Sequence, residues 1–355
     1  MAQVSFNNKN AVFFTALRQK VDEYFASNNL KTTGNTRLYW KTAILISTLV
    51  VNYVVLVFFT PPIFISLLLC ALMGLNFAAI GFNVMHDGAH GSFSTRPWVN
   101  DMMGYSLNLL GGSSYLWKLK HNVIHHSFTN IEGVDDDIDI KPWIRTHKNQ
   151  KWYWFHRFQH IYAMILYCTT YLLWIYVQDY QKYFSRQIQS TTLKKFALKE
   201  HIIFWSTKVL YISIFVVLPI IQLGFLQTLV GYLLLTIVCG LFIAVVFQLA
   251  HVVEDAEFPL PNLETNKIEE EWAIHQISTT ANFATKNKLV SWFTGGLNYQ
   301  VEHHLFPKIS HIHYPAISKI VKETCEQFNL KYIEFPTVRA AIMSHIMHLK
   351  AVGVN

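Results

Sequence analysis

Three short runs of this sequence contain histidines at spacings that suit metal chemistry. The middle run, HNVIHH, places His121, His125 and His126 within six residues. If the run is helical, His121 and His125 lie one turn apart on one face, with His126 beside them. Imidazoles that converge in this way bind Zn, Cu, Fe or Ni, so the pattern predicts a metal site but does not select its metal.

Two further runs have the same character. His86 and His90 stand four residues apart in HDGAH, His303 and His304 are adjacent in QVEHH, and His251 ends a long apolar stretch. One histidine near a helix end is usually an ordinary interfacial residue, but eight are hard to explain except as ligands. Because a metal takes three or four such ligands, the set predicts two metal ions. The predicted ligands are His86, His90, His121, His125, His126, His251, His303 and His304.

Carboxylates and amides beside these runs are candidates to orient the imidazoles. Asp87, Asp135 and Asp137 could accept N–H bonds and fix tautomers, or could simply solvate loops and cap helices, which is the interpretation preferred for Asp136. Asn83, one turn before His86, could either support the site or join helices. Gln248 is a candidate for a water-bridged contact with the metal. His275, His311 and His313 are interpreted as polar residues outside the ligand set.

The composition indicates which elements must position these residues. Of the 355 residues, 52% are hydrophobic and only 14% are charged, which is typical of a membrane protein. The net charge of +7 is unevenly spread: no Lys or Arg occurs from Val209 to Asn266, and only Arg96 occurs from Thr42 to Trp117. This asymmetry is a topology signal, so no nucleic-acid partner is expected.

Four apolar runs are long enough to cross a bilayer. We therefore predict an all-α integral membrane protein with four transmembrane helices in two hairpins and a cytosolic helical cap that carries the metal site. Residues 152–180 are also apolar, but a crossing there would put the histidines on opposite sides of the membrane, so they are predicted to lie at the interface or to dip in. The predicted spans are residues 42–60, 63–85, 202–223 and 225–250.

The ends of the chain are polar and mixed. Residues 1–41 are predicted to form an N-terminal amphipathic segment, with a helix from Asn10 to Ser27 on the membrane surface. Residues 42–317 form the predicted catalytic domain, and residues 318–355 form a helical tail. No signal peptide is apparent at the N-terminus, and the four cysteines form no CxxC pair, so a disulfide framework or a cysteine metal site is not expected.

The three runs resemble the three histidine boxes of the membrane-bound fatty acyl desaturase family. HHSFTNIEGVDDDID after the second box and GGLNYQVEHHLFP around the third are also similar to the family, from about residue 42 to about residue 317. The resemblance implies two iron ions, O2 as oxidant and a fatty acyl chain as substrate. Gln300 stands where many members have histidine, which resembles the front-end, linoleoyl-CoA desaturase-like group. A weak or water-mediated contact is expected for Gln300.

Many eukaryotic front-end members carry a fused cytochrome b5 domain with a His-Pro-Gly-Gly motif, which this sequence lacks. The resemblance therefore implies a separate electron donor, either ferredoxin or cytochrome b5, and a substrate that is an acyl-CoA, an acyl-lipid or an acyl-carrier. The bacterial inner membrane is favoured over the endoplasmic reticulum. A hydroxylase of the same superfamily is one alternative. A histidine-liganded metal transporter is another, although transporters usually place ligands near the bilayer midplane.

Overall fold

The structure is a computed structural model that describes residues 4–8 and 11–354. It consists of two helical hairpins, a bent helical segment between them, and a helical cap over the end at which the histidines lie. The chain begins with a short strand and a helix that belong to this cap. They are β1 (Ser5–Phe6) and α1 (Val12–Ser27).

The first hairpin is built from two long apolar helices. The Asn35 side chain caps the first helix, because its oxygen accepts a hydrogen bond from the Arg37 amide at 3.0 Å. Pro61 and Pro62 follow that helix and make the turn, because proline has no backbone N–H with which to continue a helix. Each long helix contains a π-helical turn. The segments are α2 (Thr36–Val54), a π-helical turn (Val55–Phe59), α3 (Ile63–Ile80), a π-helical turn (Gly81–Met85) and α4 (His86–His90).

Short helices then cross the histidine end of the bundle. The predicted helix of the middle histidine run is a π-helix and not an α-helix, and π-helical turns inside longer helices are frequent at functional sites. It follows directly on an α-helix whose Ser113 side chain accepts a bond from the Leu116 amide. The segments are α5 (Pro97–Gly104), α6 (Ser106–Leu109), α7 (Ser114–Lys118), the π-helix Leu119–His125 and α8 (His126–Phe128).

Residues 154–185 form a pair of helical limbs that are bent by 70° at their break. Gly240 permits the bend to approach the bundle, because a Cβ there would lie 3.0 Å from the Cys168 carbonyl oxygen and the Tyr171 amide nitrogen. The segments are a 3₁₀ turn (Trp154–Phe158), α9 (Gln159–Tyr167), α10 (Thr170–Leu173), a π-helical turn (Trp174–Gln178), α11 (Asp179–Ser185) and the antiparallel pair β2 (Gln187–Ile188) and β3 (Thr191–Thr192).

The second hairpin packs against the first. Gly224 makes its turn with a φ of +90°, a conformation that residues with a Cβ rarely adopt. The longest uninterrupted α-helix of the described residues follows this glycine and ends at His251, the predicted ligand outside the three runs. The segments are α12 (Leu198–Ile212), a π-helical turn (Ser213–Val217), α13 (Leu218–Leu223) and α14 (Phe225–His251).

Both limbs of the bent segment return to the histidine end of the bundle. At its start, the Gln159 side chain donates to the Leu349 carbonyl at 2.7 Å, in the C-terminal helix of the cap. At its finish, the Tyr183 hydroxyl lies 2.6 Å from Nδ1 of His201, in the first turn of α12. The segment therefore starts and ends at the same end of the bundle, and its interfacial placement stays a prediction.

The cap is assembled from the remaining helices and two parallel two-residue strand pairs. β1 pairs with β4, and β5 pairs with β6. The segments are β4 (Lys267–Ile268), α15 (Trp272–Ser278), β5 (Asn282–Phe283), α16 (Lys288–Phe293), α17 (Gln300–Leu305), a 3₁₀ turn (His311–His313), α18 (Tyr314–Gln327), β6 (Glu334–Phe335) and α19 (Val338–Val352).

Helix α1 has the predicted amphipathic pattern but a different location. It buries Phe13, Leu17, Val21 and Phe25 in an apolar cluster that it shares with α18, so its apolar face packs on the cap and not on a membrane surface. The sequence could not show this, because the surface of the cap and a membrane surface both offer an apolar partner to the helix. Asn10, the predicted first residue of this helix, lies outside the described residues.

Four helices of the described chain are long and apolar enough to cross a membrane, which confirms the predicted all-α membrane fold. Two of them begin earlier than the hydrophobic runs, at Thr36 and Leu198, because polar residues of their first turns remain helical. The second continues to His90, so it carries the first histidine run on its own last turns. The spans are Thr36–Phe59, Ile63–His90, Leu198–Leu223 and Phe225–His251.

Candidate metal centre

The eight predicted ligands come together at the histidine end of the two hairpins. Helix α4 supplies His86 and His90, the π-helix and α8 supply the middle triplet, α14 supplies His251, and α17 supplies the last pair. All eight side chains are buried. Residues more than two hundred positions apart in the sequence are in contact here: the His86 and His303 ring centroids are 4.4 Å apart.

The imidazoles form overlapping groups with the geometry of metal sites. In each group, one ligand nitrogen per residue lies within 4.8 Å of the others. The first group combines the first run with one histidine from each of the other two runs. The second group joins His251, at the end of α14, to one histidine of the middle run and one of the third run. The groups are His86, His90, His121 and His303; His125, His251 and His304; and His126, His303 and His304.

Unpaired nitrogen atoms provide a test of whether metal fits this site. In the predicted ligands, seven ring nitrogens are buried and have no hydrogen-bond partner among the described residues. Burying a polar atom without a partner is costly, and a metal ion bound to the lone pair would remove that cost. The donor set therefore fits a bound metal. The atoms are Nε2 of His86, His90, His125, His251, His303 and His304, and Nδ1 of His126.

Contacts on the far side of the rings fix which nitrogen faces the cluster. His125 Nδ1 lies 3.0 Å from Oδ2 of Asp135, the contact predicted for that carboxylate. His304 Nδ1 lies 2.8 Å from Oε1 of Gln276, and His303 Nδ1 lies 3.1 Å from the Tyr314 hydroxyl. With the proton on Nδ1, each ring donates outward and presents the Nε2 lone pair to the cluster.

The other predicted supporting residues have more varied positions. Asp137 lies 3.7 Å from Nδ1 of both His121 and His125, and its other contact is an ion pair with Lys120. Asp87 does not contact a predicted ligand by hydrogen bond: its Oδ2 accepts from the Ser310 hydroxyl at 2.6 Å and lies 3.0 Å from Nδ1 of His311. Its carboxylate therefore anchors the cap to α4.

One predicted amide and one acid form contacts between elements. The Asn83 amide donates to the Ala79 carbonyl at 2.8 Å and to the Phe293 carbonyl at 2.9 Å, which ties α3 to the cap. Asp136 pairs with Lys182 at 2.8 Å, in line with its interpretation as a non-ligand. Asn83 thus joins helices, the simpler of its two predicted roles.

Electrostatics keep most of the imidazoles neutral, as metal ligands must be. Burial lowers the pKa of His126, His303 and His304 well below the usual value, and neighbouring imidazoles lower it further. Burial also lowers the pKa of His121 to about 4. His125 differs: burial acts to lower its pKa, but the charge and hydrogen bond of Asp135 outweigh burial and raise it.

The histidines assigned outside the ligand set also lie outside the groups described above. His275 is buried and its Nε2 lies 2.9 Å from the Thr129 carbonyl, so it supports the loop after α8. His311 faces Asp87, and His313 Nε2 lies 3.2 Å from the Thr33 carbonyl. All three therefore join the cap to neighbouring segments.

Sequence reasoning missed several residues that contact the ligands, among them Gln276, Tyr314 and Asn130. Gln276 and Tyr314 lie in polar stretches without a motif, so only the fold brings them to the imidazoles. The Asn130 side chain donates to the His251 carbonyl at 2.9 Å and to the Glu257 carbonyl at 3.0 Å. Asn130 lies four residues after the end of the second run and has a φ of +58°, a conformation for which Asn is favoured. Its position beside the run was the only available signal.

A cavity of about 520 Å³ begins beside the metal centre and extends into the bundle. His86 and His121 form part of its wall, as do Gln248 and Gln300, the two glutamines singled out in the sequence. Its inner part is apolar, and its mouth carries charged and amide side chains. Inner residues include Phe77, Leu110, Tyr171 and Cys239, and mouth residues include Lys120, Asp136, Asp139, Lys141, Gln178 and Gln181.

The fold and the site together define a membrane-embedded enzyme whose buried histidine centre faces a long, mostly apolar cavity suited to an alkyl chain. The family model described as fatty acid desaturase matches residues 23–336. This chain belongs to the fatty acid desaturase family, and it is an oxidoreductase that acts on fatty acyl chains. Membership favours this function over the metal-transporter alternative.

Proteins of known activity resemble the chain over its whole length. An sn-1 linoleoyl-lipid 6-desaturase from Arthrospira platensis is 35% identical over 100% of this chain and 96% of its own length. Another from Synechocystis sp. is 37% identical over 99% of this chain and 98% of its own. An acyl-lipid (8-3)-desaturase from Physcomitrium patens is 37% identical over 98% of this chain and 73% of its own.

Proposed function

We propose that this chain is a front-end acyl-lipid desaturase that holds two iron ions and introduces a cis double bond between an existing double bond and the carboxyl end of the acyl chain. The observation that carries the proposal is the contact between the buried histidine groups and the alkyl-shaped cavity, whose wall includes His86 and His121. The names of the similar proteins support the acyl-lipid substrate, and Gln300 supports the front-end type.

Iron is the metal that suits both the ligands and the reaction. The eight histidines of the cluster would divide between two ions. His86, His90, His121 and His303 form one group, His125, His251 and His304 form a second, and His126 shares a third group with His303 and His304. Bound iron would supply the O2-dependent oxidation that redox-inert zinc cannot. The chain contributes the fixed ligand orientation, through Asp135, Gln276 and Tyr314, and a cavity that excludes water from the reacting carbons.

The charges at the cavity mouth favour a lipid substrate over an acyl-CoA. Lys141 pairs with Glu132 at 2.5 Å and with Asp139 at 3.2 Å, and Lys120 lies 3.6 Å from Asp136. These lysines are already neutralised by carboxylates. The phosphates of CoA need unpaired cations, so such a mouth suits a head group with less negative charge.

Electrons must come from outside the chain, because reducing O2 to two waters takes four electrons and forming the double bond releases only two. We propose a separate ferredoxin or cytochrome b5 as the donor. We propose that the histidine end faces the cytosol, which the basic loops support, and that the protein lies in the bacterial inner membrane, with the endoplasmic reticulum as the alternative. The catalytic domain is proposed to comprise residues 42–317.

Expression of the full chain in a host that lacks front-end desaturation tests the proposal. Total lipids are extracted after feeding linoleate, and fatty acid derivatives are analysed by gas chromatography and mass spectrometry. We expect a new double bond on the carboxyl side of the existing one, appearing first in intact lipids and later in acyl-CoA. A hydroxylated product would support the hydroxylase alternative, and earlier appearance in acyl-CoA would refute the lipid substrate.

A further inference from the structure

Two cavities lie one after the other along the same pair of helices. The cavity beside the metal centre follows α14 from Gln248 to Cys239, nine residues or about 13 Å along the axis. A second cavity of about 620 Å³ begins one turn further, at Leu235 of α14 and Met73 of α3, and extends toward the hairpin turns. The two cavities are therefore arranged end to end.

Five aromatic side chains, the aromatic wall, separate these cavities. On one side of the bundle, Phe77 of the first cavity contacts Phe215 of the second, with ring centroids 5.2 Å apart. On the other side, Tyr171 of the first cavity is joined to Tyr232 of the second through Tyr211. Phe77, Tyr171 and Tyr211 are fully buried. The wall is thus about one helical turn thick.

Hydrogen bonds hold the tyrosines of the wall in place. The Tyr171 hydroxyl donates to the Leu110 carbonyl and lies 3.2 Å from the Tyr211 hydroxyl, which lies 2.8 Å from the Tyr232 hydroxyl. In an apolar interior these hydroxyls have no water to replace a lost partner, so rotating one ring would cost hydrogen bonds. These hydrogen bonds therefore hold the tyrosine rings of the wall in one orientation.

We propose that the aromatic wall stops the methyl end of the acyl chain and sets the greatest length that the chain can have beyond the reacting carbons. The charged mouth of the first cavity fixes the direction of the substrate, because the head group stays there and the methyl end reaches the apolar floor at Phe77 and Tyr171. The second cavity is an existing extension that longer chains would enter if the wall were opened. This inference rests on the proposed function.

Truncation of the wall tests the proposal in the full-length protein. Phe77→Ala and Phe215→Ala each remove a ring between the cavities, and Phe215→Leu is a milder change should the alanine variant fold poorly. Cells are fed pairs of polyunsaturated acids whose double bonds have the same positions from the carboxyl end but whose methyl ends differ by two carbons. We expect the ratio of long to short substrate converted to rise roughly tenfold, since each buried methylene is worth several-fold.

Two controls separate length selection from general damage. Phe204→Ala removes a buried ring that packs on Tyr183, away from both cavities, and should leave the ratio unchanged. Leu235→Phe adds a ring where the second cavity begins, one turn beyond the first: alone it should leave the ratio unchanged, and combined with Phe77→Ala it should bring the ratio back toward its original value.

The outcomes distinguish this inference from the proposed function. If the unaltered protein forms no front-end double bond, the proposed function is wrong and the length proposal falls with it. If it does, and neither Phe77→Ala nor the Phe215 variants change the ratio, the wall is not the stop. A rise in the ratio that Phe204→Ala reproduces, or that Leu235→Phe does not lower, would also overturn the proposal.

Discussion

Replacing Gln276 with methionine should loosen metal binding although Gln276 is not itself a predicted ligand. Its Oε1 lies 2.8 Å from Nδ1 of His304, and it accepts from the Thr129 hydroxyl at 2.9 Å. Methionine keeps the length of the side chain but removes the acceptor. His304 would then lack the hydrogen bond that fixes its orientation, an effect that typically costs 10- to 100-fold in metal affinity.

The surroundings of Gln276 indicate which part of this 10- to 100-fold range of affinity loss to expect. The Thr129 hydroxyl also donates to the His125 carbonyl at 2.7 Å and lies 3.3 Å from His304 Nδ1, so it could accept from His304 once Gln276 is gone. We therefore expect a loss near the lower end for Gln276→Met, about tenfold or 1.4 kcal/mol. The double variant with Thr129→Val removes both acceptors and should approach the upper end.

The assay is the iron retained by purified protein as a chelator is titrated, with iron measured by mass spectrometry. Gln276→Glu keeps an acceptor oxygen and should hold iron more tightly than Gln276→Met. Gln159→Met is a matched control, because Gln159 is equally buried but bonds to the backbone of Arg145 and Leu349. Iron retention by Gln276→Met equal to that of the unaltered protein, or a loss that Gln159→Met shares, would refute the reasoning.

Three further predictions concern regiochemistry, packing and topology. Gln300→His and Gln300→Ala should both keep most of the iron, and turnover should be about tenfold lower in Gln300→His. If Gln300→Ala loses iron as completely as His304→Ala does, Gln300 is a direct ligand. Gly240→Ala should destabilise the protein by about 1–3 kcal/mol, because the added Cβ would push the bent segment off α14. Gly81→Ala is the control and should not destabilise it, because a Cβ at Gly81 would meet no atom within 4 Å. Equal melting temperatures for the two variants would contradict this prediction. Tags at Gly133 and the C-terminus should report the cytosolic side and a tag at Gly224 the other side; opposite sides for Gly133 and the C-terminus would refute the single-site topology.

The sequence predicted the features that depend on local patterns. Four apolar runs specify four helices because a bilayer sets their length, and paired histidines mark the ends of those helices. Pro61–Pro62 and Gly224 mark the two turns for the same local reasons. These signals need no knowledge of which elements touch.

The remaining features depend on contacts between distant residues. Gln276 meets His304 and Tyr314 meets His303 only because the cap folds back over α14, so no spacing in the sequence reveals them. The π-helical geometry of residues 119–125 is set by packing, since the run satisfies an α-helical pattern equally well. The location of α1 was missed for a related reason: its apolar face fits a membrane surface and a protein surface alike.

The iron content of the purified full-length protein tests the central claim most directly. Iron per chain is measured by mass spectrometry, together with desaturation, for the unaltered protein and for His125→Ala and His304→Ala. We predict about two irons per chain in the unaltered protein, and less iron with no activity in both variants. A desaturating protein with no bound iron would contradict the account, and full activity in either variant would remove that histidine from the ligand set.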